Sequence, residues 1–568
     1  MPAVMKTPGV YIVEQSAFPS SVVEVATAVP AFIGYTEKAD NQGRSLSNRP
    51  WRITSMAEYL NYFGGPPHVV FNLIGPESEE AADATPALPA APEASEGGEE
   101  SEASEEGTPT NPEPQAEPPV ELQTDAAPET AGFYFGGRGY ELRQENGEYL
   151  LYYSMSLFFQ NGGGPCYVVS VGSYSDDIEI GRLESAIGLL AKEQEPTMVV
   201  IPEAVRLGEP DCITLQQAML SHCGAQMKNR FAVLDVYNGF HDRQHPGGDP
   251  IDSFRSALGV NNLDFGAAYY PWVNTTIVRD SELSFDNISE STRGVLQALL
   301  REELGLPEDG SAGAGRAAQQ SEAVNEITKD WSEVAEGESA PSAEEVRAAK
   351  ALLDKVLKGM SPQLYGSVLS VIKDKLNLLP PAAAMAGVYT AVDNDRGVWK
   401  APANVSLNAV VSPSVNITHD DQEDLNVTVQ GKSINAIRPF IGEGVLVWGG
   451  RTLDGNSLDW RYIQVRRTMI MLEESIKLAA KAYVFENNNA NTWVTIKSTI
   501  RNFLTGIWKR GGLAGASPDD AFAVFVGLVE TMTSVDILEG IMRVTVLVAI
   551  TRPAEFIEIT FQQQMQQS

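Results

Sequence analysis

The stretch "TMVVIPEAVRLGEPDCITLQQAMLSHCGAQMKNRFAVLDVY" (Thr197–Tyr237) decides the fold class. Its two ends, "TMVVIP" (Thr197–Pro202) and "RFAVLDVY" (Arg230–Tyr237), are short apolar runs rich in β-branched residues. Neither alternates polar with apolar, so both read as strands covered on two faces. The span between them predicts a helix over about Asp211–Ala225. Upstream the pattern repeats: "PCYVVSVG" (Pro165–Gly172) is a buried strand, followed by a helix over about Gly181–Lys192. Strands alternating with helices in this way predict a mostly parallel sheet within a mixed α/β fold.

Outward from this block the character changes. Between Pro76 and Ala131 the chain is Pro, Ala, Ser and Glu, with 16 acidic residues and no Lys or Arg. Such a segment buries too little to offset its ordering entropy and is expected to be a disordered surface insertion. A second acidic stretch, Glu303–Glu344, reads as another exposed insertion with a short helix. Further on, "VSLNAVV" (405–411) and "LNVTVQ" (425–430) are strand-like. Val465, Met469, Leu472 and Ile476 recur at helical spacing, with Glu473 four residues before Lys477. Trp493, Ile496, Ile500, Phe503 and Ile507 mark a second amphipathic helix. In "MRVTVLVAI" (Met542–Ile550) alternate residues share one strand face.

Both ends of the chain look like strands without a local partner. Val10, Tyr11, Ile12 and Val13 follow a Pro-Gly, and no hairpin signal follows them. At the other end "EFIEITF" (Glu555–Phe561) carries Phe556 and alternates Ile557, Ile559 and Phe561. A lone strand leaves its backbone groups unsatisfied, so these ends call for a sheet elsewhere.

Composition excludes several classes. At 568 residues the chain has room for three or four domains, at about 150 residues each. The longest apolar run, "AFAVFVGLV" (Ala521–Val529), is too short to span a bilayer, and no secretory signal pattern opens the chain. Three cysteines make no disulfide framework and read as reduced thiols of a cytoplasmic protein. A net charge of −34 argues against nucleic-acid binding. The acidity lies outside the C-terminal part, where Gly431–Ser568 holds 14 basic and 13 acidic residues.

Catalytic constellations are missing. "NGGGP" (Asn161–Pro165) precedes a strand, whereas a phosphate-cradling loop follows one, so it reads as a turn. His241, Asp242 and His245 could ligate a metal, but they stand beside a turn-rich loop with no matching cluster. Cys212, His222 and Cys223 fall on one predicted helix and its end, where buried thiols are ordinary. Asp235 closes a strand, a common place for an acid in such sheets, yet no nucleophile or base accompanies it. No catalytic, metal or cofactor residue is assigned; the alternative reading is a soluble α/β enzyme with an oligomerisation domain.

Four C-terminal phrases carry a resemblance: "RGVWKAPANVSL" (Arg396–Leu407), "LVWGGRTLDG" (Leu446–Gly455), "DWRYIQVRRTMIMLEESI" (Asp459–Ile476) and "NTWVTIKSTIRNFLTGIWKRGGLAG" (Asn491–Gly515). With "TPGVYIVE…AVPAFIGYT" (Thr7–Thr36) and "FFQNGGGPCYVVSVG" (Phe158–Gly172), in this order, the chain resembles contractile tail sheath proteins of phages and extracellular injection systems. The likeness covers about residues 1–60, 150–275 and 380–568.

The resemblance implies a multi-domain protein. Residues 1–20 would be an N-terminal exchange arm, 21–60 with 380–550 an inner core, and 61–75 with 132–379 an outer α/β insertion. Residues 76–131 would be the acidic insertion and 551–568 the C-terminal arm. It further implies a helical homo-oligomer of six-fold rings around an inner tube, with baseplate and tail terminator proteins and paralogous sheath subunits as partners. Neither nucleic acid nor direct membrane insertion is expected. Assembly would occur in the bacterial cytoplasm, ahead of incorporation into a phage tail or a released phage-like particle. Each arm would add a strand to a neighbour's sheet. Lys497, Arg501, Lys509 and Arg510 would offer a basic edge to the tube, or simply cap their helix. Trp399, Trp448, Arg451, Trp460, Arg466, Arg467, Glu473 and Trp493 fall in the shared motifs; Arg466, Arg467, Glu473 and Glu474 are expected to form ion pairs within or between subunits.

Overall fold

The computed structural model describes residues 22–76, 131–307, 315–331 and 342–559. Val10, Tyr11, Ile12, Val13, Phe561 and residues 77–130 of the acidic insertion lie outside these residues. The chain divides into two compact units, the first built from residues up to Val69, Gly147–Glu282 and Lys373 onward. The second comprises Val70–Asn146 and Leu283–Ile372.

A nine-stranded sheet organises the first unit. Its strands are β1 (Pro30–Thr36), β2 (Trp51–Ile53), β3 (Cys166–Ser173), β4 (Met198–Val200), β5 (Phe231–Asp235), β6 (Gly266–Tyr270), β7 (Val405–Ser406), β8 (Asn435–Phe440) and β9 (Gly444–Val447). They lie in the order β7-β9-β8-β6-β5-β4-β1-β3-β2. From β3 to β8 every neighbouring pair is parallel; β2 at one edge and β9 and β7 at the other run antiparallel. All seven residues of β1 are buried, with Phe32 set between Val168 and Val200. Continuous apolar runs do this because parallel strands are covered by helices on both faces.

Helix α1 (Leu151–Gln160) connects β1 to β3, and α2 (Ala382–Arg396) packs against it. Chain direction across the sheet then reverses, so by right-handed crossover Ile180–Leu189 and Glu209–Ser221 cover the opposite face. The run "AAAMAG" lets α2 approach α1 closely: a Cβ on Gly387 would lie 2.6 Å from the Phe158 carbonyl oxygen. "NGGGP" is the turn ending α1, with Gly162 at φ +91°.

Two amphipathic helices, α3 (Ile463–Ala480) and α4 (Ala490–Lys509), follow the sheet in sequence. Met471, Leu472, Ile496, Ile500, Leu504 and Ile507 form a buried cluster with Phe522 and Val524. These last two belong to β10 (Phe522–Phe525), which pairs antiparallel with β11 (Thr545–Val548). Met542, Val544, Val546, Val548 and Ile550 all face this cluster, as the alternation predicts. Met469 is only half-buried; Met471 fills the core position instead.

The second unit holds a three-stranded antiparallel sheet of Val70–Ile74, Arg138–Asn146 and Ala131–Phe135. Helices Arg293–Leu304, Arg316–Asn325 and Ala343–Met360 also belong to it, the second being the short helix expected in Glu303–Glu344.

Two differences from expectation have physical reasons. "LNVTVQ" is not a strand: Leu425 and Asn426 end the helix His419–Asn426, which a Thr418–Asp421 capping box initiates. The boundaries at 60/61 and 379/380 do not coincide with the observed units either. Strands from 166 to 270 share one sheet with β1 and β8, because β1, buried on both faces, needs a parallel neighbour on each side.

Candidate functional site

The places where an α/β enzyme would carry its chemistry are occupied by structural tasks. Asp235, at the carboxyl end of β5, accepts the Ala382 amide at 2.7 Å and so caps α2, whose N-cap Pro381 provides no side-chain cap. Glu203, just after β4, does the same for α1: the Leu151 amide donates to its Oε1 at 2.9 Å, and N-cap Leu150 offers nothing. Burial pushes both carboxyls up to about 7, against the backbone amides that favour their charged forms. Glu203 fits because residue 34 is glycine; a Cβ there would sit 2.3 Å from its Oε2. Asp235 was legible as a strand-end acid, but its partner lies 147 residues away. Glu203, inside "IPEAVRL", carried no signal.

His241 and His245 stack at 3.7 Å between ring centroids, while Arg243 pairs with Asp249 and Asp424. Among the described residues no group of three or more His, Cys, Asp or Glu is placed to hold a metal. Cys166, Cys212 and Cys223 are buried thiols, and burial raises each above the ordinary thiol range. Burial and neighbouring Arg230 hold His222 down at about 4.

The residues of the C-terminal motifs form charge networks instead. Arg467 makes a bidentate pair with Asp393 (2.7 and 3.0 Å), lies over the Tyr389 ring, and donates to the Thr27 carbonyl at 3.0 Å. Arg466 pairs with Asp264 and stacks on Trp460 at 3.6 Å. Arg451 donates to both oxygens of Glu555, at 2.9 and 2.6 Å. Glu473 is exposed, and Lys477 pairs with Glu474 rather than with it. Trp399 lies under Arg510, Trp448 packs on Phe440 while remaining partly exposed, and Trp493 donates to Asn488.

Three of the four cations on the α4 edge are engaged within the chain. Lys497 meets Glu530, Arg501 meets Asp519, and Arg510 meets Glu24; Lys509 is exposed.

The sheet of β10 and β11 is the most open feature. Among the described residues each strand pairs with one neighbour only, so each keeps a free edge. Beyond it Glu555–Ile559 belong to no strand, with Phe556, Ile557 and Ile559 exposed.

Residues 456–564 match the model of the phage tail sheath C-terminal domain. The tail sheath protein of Salmonella phage ViI is 26% identical over 149 residues, 26% of this chain and 24% of that protein. That of Enterobacteria phage T4 is 25% identical over 135 residues, covering 24% and 20%. These alignments reach a quarter or less of the relatives' own length. Among solved structures, the helical sheath of the anti-feeding prophage in its contracted state aligns with TM-score 0.54 and 25% identity, over 99% of this chain and 100% of that one. The sheath complex of an extracellular contractile injection system (PVC), also contracted, gives TM-score 0.53 and 25% identity over 99% of both.

Proposed function

We propose that this chain is a structural subunit of a contractile sheath. The observation that carries the reading is the small β10–β11 sheet. Two strands alone are marginal, and an edge with unpaired backbone groups is a template for further strands. Strand-like sequence at both chain ends supplies the complement. In this reading the N-terminal residues around Val10–Val13 and the C-terminal residues Phe556–Phe561 each extend a neighbour's sheet, linking subunits through backbone hydrogen bonds.

Subunits so linked would stack as six-fold rings around an inner tube and assemble in an extended state of higher energy. A trigger at one end would release it, and the rings would rotate and shorten to drive the tube through a target envelope. The work would come from a conformational difference set during assembly, without nucleotide hydrolysis. Likeness over nearly the whole chain to these sheaths favours an extracellular injection particle over a phage tail. Tube contact through Lys497, Arg501, Lys509 and Arg510 would have to exchange three existing intra-chain pairs for new ones. The enzyme alternative gains nothing from Asp235 or Glu203, which are spent on helix ends.

Electron microscopy of the purified chain beside a variant lacking residues 1–20 tests the reading. Striated hollow tubes from the full chain, absent from the variant, are expected. A small monodisperse oligomer from both would refute it.

A further inference from the structure

The two ends of the described chain pass from firmly held to exposed within one or two residues. At the N-terminal side Val23 is exposed, yet the Val25 amide already donates to Ser475 Oγ at 3.1 Å. Two residues on, Thr27 donates to Asp393 at 2.6 Å, and its carbonyl accepts from Arg467 and from Thr197 (2.7 Å). At the C-terminal side Glu555 accepts four hydrogen bonds: two from Arg451, one from Asn426 at 2.9 Å and one from the Tyr462 hydroxyl at 3.0 Å. The next residues, Phe556 and Ile557, are 75% and 77% exposed.

Both holding arginines are buried, at 4% side-chain exposure, and they belong to one short segment. Arg451 bridges to Tyr462; Tyr462 is the N-cap of α3; Arg467 lies in that helix's second turn. The Tyr462 hydroxyl itself rests on Glu555. Each contact is charge-assisted, and breaking either pair leaves a buried guanidinium uncompensated, so these are fixed points rather than hinges.

We propose that Arg451 and Arg467 are positioning residues that root both inter-subunit strands on the head of α3. A pull on one arm is thereby passed to the other through a single rigid element, and the strands leave the subunit at Val23 and Phe556 in set directions. This rests on the sheath reading for what the arms do, but the clamp itself is a property of one chain.

The test uses Glu555→Ala, with Glu555→Gln as the conservative partner that keeps an acceptor for Arg451. Amide hydrogen exchange of the dissociated full chain and tube yield by electron microscopy are the two readouts. Glu555→Ala is expected to speed exchange at least tenfold at the Arg451 and Thr452 amides, which donate to Asn435 and to the Arg461 carbonyl, to leave Thr545–Val548 unchanged, and to cut tube yield at least tenfold. Glu555→Gln is expected to recover part of both. Unchanged exchange in Glu555→Ala would overturn the clamp. Faster exchange with undiminished tubes would overturn its role in placing the arm. Because Glu555 stands near the chain end, unaltered protection in α3 and β10 distinguishes these outcomes from misfolding. If the unmodified chain forms no tubes while Glu555→Ala exchanges faster, the sheath reading fails and the clamp stands as an internal tether.

Discussion

Glu203 and Asp235 each sit beyond the carboxyl end of a parallel strand, where ligands bind in many sheets of this kind. Here a carboxyl oxygen of each serves as a built-in acceptor for a helix N-terminal amide, filling the role an external ligand takes elsewhere. Their pKa values lie above those of the unfolded chain, so the folded state holds extra protons between pH 4 and 7. Stability from these groups is therefore greatest below about pH 4 and is lost as pH rises through 7. For Glu203 the full swing is on the order of 3 kcal/mol. His222, held at about 4, has the opposite sign: its contribution is present above about 6.5 and is lost as pH falls through 4. Glu203→Gln is expected to flatten the decline in stability between pH 5 and 8; denaturant titrations of both proteins across that range check it. An unchanged slope would mean the carboxylate is already ionised. None of this was legible from sequence. An acid after a strand looks the same whether it meets a substrate or a helix end, and only the fold brings Ala382 and Leu151 to these carboxyls.

At the scale of elements, periodicity served well where one face is buried. The helices around 463–480 and 490–509 and the alternation from Met542 to Ile550 appear as their spacing implies. The failure at 425–430 is instructive. "LNVTVQ" has strand-like residues, but Thr418, followed by Asp421, had already committed the preceding residues to a helix. Local capping outweighed β-propensity, which depends largely on neighbours to pack against. Thr418→Ala is expected to cost about 1 kcal/mol, measurable by thermal unfolding. An effect near zero would assign that helix to tertiary packing alone. Likewise, open edges on β10 and β11 could not be read from sequence, since a strand's run of residues does not say how many neighbours it has.

For the whole molecule, the α/β class was readable because apolar runs near 165, 197 and 230 repeat with helices between them. The partition into units was not. The family resemblance implies an inner core interrupted by an outer domain, whereas the sheet gathers strands from 30 to 447 and only 70–146 and 283–372 make up the second unit. Residues 77–130 stand between Val70–Ile74 and Ala131–Phe135, both of which pair with Arg138–Asn146 within the second unit. Excision of residues 77–130 is therefore expected to leave the thermal midpoint of the first unit unchanged. It also removes most of a block holding 16 acidic residues, so assembled tubes lacking it are expected to bundle at low salt. Turbidity and microscopy at two ionic strengths check this; tubes that stay dispersed would deny the segment a colloidal role.

The bond from Arg467 to Thr27 joins residues 440 positions apart. During synthesis at 5–20 residues per second, roughly 20 to 90 s separate the emergence of one from the other. For the first part of that interval β1 waits too, since its partners Val168 and Val200 arrive more than 130 residues later. A ribosome that stalls before residue 467 releases a fragment whose leading end lacks this bond and keeps, at Thr27, only the partners Thr197 and Asp393. In the proposed sheath the tether thus makes the hold on the leading end depend on synthesis past Arg467, ahead of entry into a polymer in which one slack copy would interrupt every line of force passing through it.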